Sequence, residues 1–206
     1  YVERTGDDVT LVELWPAIEA ALQWIDGPGD PDQDGFVEYQ RATEQGLANQ
    51  GWKDSFDAIF HADGQLAEGN IALAEVQGYV FAGKQLAARC ARRLGMVDRA
   101  AQLEAAALRL AQRFEEAFWC EELGTYALAL DGAKMPCAVR TSNAGQLLFT
   151  GIGREDRARR VAADLMSQRF FSGWGIRTVA RGEARYNPMS YHDGSIWPHD
   201  NALIAL

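Results

Sequence analysis

The segment from Asn70 to Trp119 repeats apolar residues at helical period twice in succession, with only Gly95 and Met96 between the two runs. Leu73, Val76, Val80, Leu86 or Ala87, Cys90 and Leu94 mark the stripe of the first run, and Leu103, Ala107, Leu110, Phe114 and Phe118 that of the second. Spacings of three and four place such residues on one face of an α-helix, and that face must be covered by another element. Gly95 supplies the left-handed residue on which a helix ends. So short a link sends the second helix back along the first, so the chain is constrained to build from antiparallel helical hairpins.

The remaining segments fit that plan. Residues 9 to 25 are apolar at Val9, Leu11, Val12, Leu14, Ile18, Ala21, Leu22 and Ile25, with Pro16 expected as the first residue of a second helical piece and Gly27 and Pro28 as the stop. Gly124 to Leu130 alternates weakly and is expected to pair as a short strand with Cys137 to Arg140. Helices are expected over Asn143 to Phe149 and Arg154 to Ser167, and Pro198 opens another, with Asp200 in its first turn where a carboxylate suits the helix dipole. Two long loops, 26 to 67 and 169 to 197, interrupt the helices. The second is too aromatic for disorder, and long structureless loops in compact domains are as a rule functional. In a ring of antiparallel helices every second loop falls at the same end, so these two can face one pocket.

Composition narrows the partners. The net charge is −9, and no Lys/Arg cluster is interleaved with aromatics, which argues against nucleic acid and other polyanions. Aromatic residues make up 10% of the chain and include six Trp, which suits a neutral sugar. No apolar run approaches the roughly 18 residues that span a bilayer, and no signal peptide is visible, so a soluble, cytoplasmic protein is expected, without membrane contact. The 206 residues run from Tyr1 to an apolar NALIAL ending at Leu206, and read as part of a single domain whose N- and C-terminal parts lie outside the chain. Cys90, Cys120 and Cys137 have no metal-ligand spacing and read as reduced thiols without chemistry. HExxH, CxxC, a phosphate loop and GxSxG are all absent from the sequence. No cofactor or metal is expected.

The candidate chemistry lies in GLANQGWKDSFD, Gly46 to Asp57, where Asp54 follows Trp52 by two positions. An indole packs on the apolar face of a pyranose, and a nearby carboxyl group protonates the glycosidic oxygen as the bond breaks. Asp30, Asp32, Asp34 and Gly35 imitate the start of an EF-hand loop, but Arg41 stands where the bidentate Glu belongs. A polar turn and a calcium site of another kind both remain open there, and Glu38 and Tyr39 are alternative sugar contacts. His61 reads as a surface residue or one behind the site, His192 as a hydroxyl ligand, and His199 as either helix-start packing or part of the site.

Five blocks in order, GLANQGWKDSFDAIFHADG, IALAEVQGYVFAGK, RTSNAGQLLFTGI, FSGWGIRT and YNPMSYHDGSIWPHDNALIA, closely resemble the catalytic domain of bacterial glycogen-debranching-type proteins, the amylo-α-1,6-glucosidases. The resemblance covers nearly the whole chain from Arg4. It implies an all-α (α/α)6 toroid, the six-hairpin glycosidase architecture of glucoamylases and trehalases, here incomplete, with a small β element near 124 to 140. It implies Asp54 as general acid, Trp52 as sugar platform, Lys53 or Asp57 as hydroxyl ligands, and Tyr191, His192, Ser195, Trp197 and Asp200 as the opposite wall of the subsite, with Glu75 and Gln77 as secondary candidates. The implied activity is inverting hydrolysis of α-glucosidic linkages, specifically the α-1,6 branches of glycogen-like glucans. Alternatives are a carbohydrate-binding or catalytically silent toroid, or a trehalase, glucoamylase or mannosylglycerate hydrolase type. The general base is expected beyond Leu206, with Asp200 and Glu75 as fallbacks, so that the chain alone binds sugar better than it cuts it. Asn70 and Asp193 depart from the expected Pro and Asn.

Overall fold

Two long helices, α3 (Ala74–Arg93) and α4 (Val97–Ala117), lie antiparallel across the link at Gly95, whose φ of 79° is the left-handed value that ends α3. The structure, a computed structural model, describes all 206 residues. Before the hairpin come a single turn, α1 (Val2–Thr5), and α2 (Asp8–Ile25), which is capped by the Asp7 carboxylate accepting from Thr10 N at 3.0 Å. Strand β1 (Ala72–Leu73) precedes α3, and β2 (Trp119–Cys120), β3 (Thr125–Tyr126) and β4 (Ala129–Leu130) follow α4. A 3-10 turn at Ser142–Gln146 runs into α5 (Leu147–Thr150), then come α6 (Glu155–Leu165) and α7 (Pro198–Ile204). No helix is long and apolar enough to cross a membrane.

The main core forms where α4 meets the segment after it. Phe114 stacks on Phe118 at 4.6 Å and tilts against Tyr126 at 5.0 Å, while Phe36 from the first long loop closes edge-on against Phe118 at 5.3 Å. A second cluster packs Ile59 and Phe60 against Ile71, Leu73, Leu128, Cys137, Val139 and Val179, and so roots both long loops in the β elements. The third joins α2 to the hairpin through Leu22, Ala87, Ala88, Ala91, Ala100 and Leu103; alanines there let the backbones approach closely.

Several expectations are corrected. The helix over residues 8 to 25 runs unbroken through Pro16. Proline forfeits one backbone bond, but the continuous helix keeps Leu11 and Leu22, three turns apart, both buried. Val9, Val12 and Leu14 remain exposed. The helix expected from Asn70 starts at Ala74, because Ala72 and Leu73 pair with Leu130 and Ala129 in an antiparallel ladder. The stripe of α3 is centred on Val80, Phe81, Ala87, Ala88 and Ala91, with Leu86 exposed and Val76, Cys90 and Leu94 half-buried. The expected strand pair also changes partners: β3 pairs with β2, and β4 with β1, although Leu128 N still donates to Cys137 O at 3.0 Å and Cys137 N to Ala129 O at 2.8 Å. The helix expected at Asn143 begins instead as the 3-10 turn.

Phe114 is fully buried at the centre of the aromatic cluster. Phe114→Ala is expected to cost about 3–5 kcal/mol, read as a lower urea midpoint with an unchanged slope.

Candidate functional site

The turn that carries Trp52 lies directly on the start of α3. A Cβ on Gly51 would sit 2.3 Å from Leu73 Cδ1, so any larger residue there would displace that buried side chain. The turn is braced from inside: Tyr39 OH donates to Asn49 Oδ1 at 2.7 Å, and Asn49 Nδ2 donates to Ser55 O at 2.6 Å. Between these braces Lys53 turns inward and is 1% exposed, while the side chain of Asp54 turns outward and is 55% exposed.

The second long loop meets this turn across 137 residues of sequence. Ser55 Oγ lies 2.9 Å from His192 Nδ1, and Ser55 N donates to the same nitrogen at 3.4 Å. A nitrogen that accepts from a backbone N–H carries no proton, which places the ring proton on Nε2. Asp54 Oδ1 lies 3.9 Å from His192 Nδ1. Trp52 packs edge-on against His192 at 5.6 Å, His199 at 5.6 Å and Trp197 at 6.3 Å. Tyr191 in turn meets His192 at 4.6 Å and Trp197 at 4.8 Å. The Tyr191 carbonyl accepts from both Ser195 Oγ at 2.6 Å and Trp197 Nε1 at 2.7 Å, so Ser195 is engaged within its own loop. Gly194 is forced: a Cβ there would meet the Asn187 carbonyl carbon at 2.9 Å. Burial, helped by the Lys53 charge, holds His192 below the usual imidazole range, although Asp54 and Asp57 pull the other way. An aromatic wall and an outward carboxylate therefore share one rim, with the His192 imidazole buried behind them.

Beneath that rim lies a buried ionic group. Lys53 Nζ donates to Thr178 O at 2.7 Å, and the carboxylates of Asp200, Glu75 and Asp193 all act on the ammonium; burial still pulls Lys53 below its ordinary value. Asp200 accepts from Gln146 Nε2 at 2.6 Å, and Tyr79 OH donates to Gln146 Oε1. Burial pushes Glu75 up. Glu75 Oε2, Asp200 Oδ2 and Asp193 Oδ1 are buried without hydrogen-bond partners.

Five of the residues expected to touch sugar are therefore placed otherwise. Lys53, Glu75, Gln77, His192 and Asp200 are all sealed from solvent. Gln77 is saturated by protein, accepting from Val37 N at 2.9 Å and donating to Val37 O at 2.8 Å and Leu73 O at 3.1 Å. Asp57 lines a separate polar cavity of about 530 Å³ with Asp63, Arg185, Ser190 and Asp193. Trp52, Asp54, Tyr191, His192 and Trp197 are brought together, and His199 joins them. Ser55, Asn49 and Thr178 escape a reading by residue type. Ser55 had a signal, adjacency to Asp54; Thr178 acts through its backbone carbonyl and its hydroxyl, and its residue type announced neither.

The remaining polar groups serve the fold. Asp30, Asp32 and Asp34 lie close enough to share a cation, but the ammonium of Lys134 sits among them, 2.8 Å from Asp32 Oδ2 and 2.6 Å from Asp34 Oδ2, and also bonds Glu38. Burial opposes that charge, and the surrounding carboxylates overcome it and hold Lys134 above its ordinary value. Glu38 is buried in this contact, and Tyr39 is spent on Asn49, so neither faces a sugar. His61 pairs with Asp131 at 3.2 Å, and burial pushes the neighbouring Cys137 thiol up to about 12, which leaves it inert.

The family model for the mannosylglycerate hydrolase MGH1-like glycoside hydrolase domain matches residues 1–206. No curated protein matches the chain by sequence. Among solved structures, a GH63 mannosylglycerate hydrolase from Thermus thermophilus superposes with a TM-score of 0.71 at 17% identity, over 96% of this chain and 58% of that one. A sialidase gives 0.73 at 15% identity, over 97% of this chain and 18% of the other. A GH78 rhamnosidase from Bacillus sp. GL1 gives 0.62 at 16%, over 82% and 16%. The fold is thus that of the six-hairpin glycosidases, an incomplete toroid, and the chain spans 58% or less of these relatives.

Burial, reinforced by Asp57, pushes the Asp193 carboxyl up to about 6 from its ordinary 3.8. The folded protein thus holds this proton to higher pH than the unfolded chain, so the group's contribution is full below the unfolded value and is lost as pH rises to about 6. Asp193→Asn is expected to be about 1–3 kcal/mol more stable than the parent at pH 7.5, and about equal to it near pH 4, by urea denaturation at the two pH values.

Proposed function

Because the chain belongs to the mannosylglycerate hydrolase MGH1-like glycoside hydrolase domain family, we propose that it carries the proton-donating half of an inverting glycosidase, with Asp54 as general acid. The observation that carries this is the one rim where an outward carboxylate stands beside Trp52, His192 and Trp197. A pyranose seated on these rings brings its glycosidic oxygen to Asp54, the carboxyl group placed to hand it a proton. Tyr191 presents an exposed ring and hydroxyl on this rim, and His192, buried behind it, packs against Tyr191 and Trp197 and holds them in place.

Inversion requires a second carboxylate about 6.5–9.5 Å from the acid, with room for a water between. Glu75 and Asp200 are poor bases for that water, because both are sealed beneath the rim. The base is assigned to the rest of the full-length enzyme. The substrate is an α-linked glycoside. Branch cleavage at α-1,6 linkages of a glycogen-like glucan is supported by the five sequence blocks, and a small glycoside of the mannosylglycerate type by the family match.

In the full-length enzyme, Asp54→Asn is expected to lower kcat about 10²–10⁴-fold on a glycoside with a poor leaving group. NMR of the parent enzyme is expected to show α-linked substrate giving β-sugar first. Undiminished hydrolysis by the variant sinks the assignment, and retained sugar binding with no turnover by the parent supports a silent toroid. Release of glucose from branched glucan, against release of mannose from mannosylglycerate, decides between the two substrate classes.

A further inference from the structure

Lys53 and Asp54 are adjacent in sequence and opposite in fate. The only hydrogen bond from the Lys53 side chain goes to Thr178 O, and its Nζ also lies 5.2 Å over the Trp52 ring. Thr178 holds the opposite loop as well. Its N–H donates to Ser195 O at 2.9 Å, its hydroxyl donates to the same oxygen at 3.1 Å, and that hydroxyl accepts from Gly194 N at 2.8 Å. The turn bearing Asp54 and the loop bearing His192 are therefore tied to one residue, the first through Lys53 and the second through Gly194 and Ser195. The carboxylates that face the ammonium come from three further places: Glu75 in the first turn of α3, Asp200 in the first turn of α7, and Asp193 beside His192.

We infer that Lys53 is a positioning residue, which sets Asp54 against His192 by anchoring the acid-bearing turn to Thr178 from below and touches no sugar itself. The inference rests on Asp54 being the acid. An inward ammonium at position 53 leaves the next side chain pointing outward, and its bond to a backbone oxygen fixes the height of the turn. An acid displaced by about 1 Å loses on the order of 10²-fold in rate.

Lys53→Met keeps the apolar stem and removes the ammonium. In the full-length enzyme it is expected to lower kcat about 100-fold on a poor-leaving-group glycoside, with KM within about threefold of the parent. On the corresponding glycosyl fluoride, whose leaving group needs little protonation, the loss is expected to stay within about fivefold. Equal losses on both substrates, or a rise in KM with kcat retained, overturn the inference. If Lys53→Met does not fold, Lys53→Met/Glu75→Gln removes a buried cation and a buried anion together, and the same comparison applies. In the chain described here, NMR titration of His192 is expected to move to higher pH in the folded variant, because the repelling ammonium is gone while Asp54 remains; an unchanged titration overturns the placement. If Asp54→Asn shows no leaving-group dependence, the acid assignment fails by itself, and the His192 titration still judges Lys53.

Discussion

Burying an ammonium ion costs several kcal/mol unless its hydrogen bonds and counter-charges are built around it. Lys53 is buried in that way, and the groups that compensate it come from parts of the chain with no local reason to meet: the start of α3, the segment around Thr178, the loop at Asp193 and the start of α7. Each of these also carries or borders a residue of the aromatic rim. The rim rings pack on one another but are open on their outer side, so their geometry depends also on the sealed layer underneath. The two long loops gain fixed positions because their inner faces are spent on protein contacts, with Asn49, Gln146 and Thr178 as the intermediaries.

The hairpin was legible because it depends on short-range rules. Period, a glycine stop and a two-residue link leave an antiparallel pair as the one compact arrangement. The errors came where long-range pairing overrode local preference. Pro16 reads as a helix start, yet the helix continues through it and buries both Leu11 and Leu22 despite one missing backbone bond. Asn70 to Leu73 continues the helical period of α3, yet the partner strand at Ala129 and Leu130 captures its last two residues. Leu86 and Ala87 were interchangeable by period, and the close approach of α2 chose the smaller.

The site divides in the same way. Trp52 with Asp54 was singled out by residue type, because an aromatic face beside a carboxyl group suits a sugar, and the family resemblance added Tyr191 and Trp197. Lys53, Gln77, Glu75 and Asp200 entered through the same resemblance, which reads side-chain identity and not exposure. Burial reassigns them. Gln77 is saturated by three backbone groups and Asp200 is held by Gln146, so both belong to the scaffold that presents the rim. The acidic loop at Asp30 to Asp34 likewise resembled a cation site, and the cation proves to be Lys134, a residue on a turn about a hundred positions away whose role no local pattern announces.

By itself, the amino-acid sequence determined that this chain forms helical hairpins, that two unusual loops interrupt them, and that those loops hold the residue types a sugar site needs. These properties follow from periodicity, turn residues and side-chain type, which act over a few residues. Only the tertiary structure decided which polar groups face outward, because exposure depends on what packs beneath. It turned Asp54 to the rim and Lys53 to the interior, one residue apart, since the ammonium is stable only where distant carboxylates and a distant carbonyl converge on it.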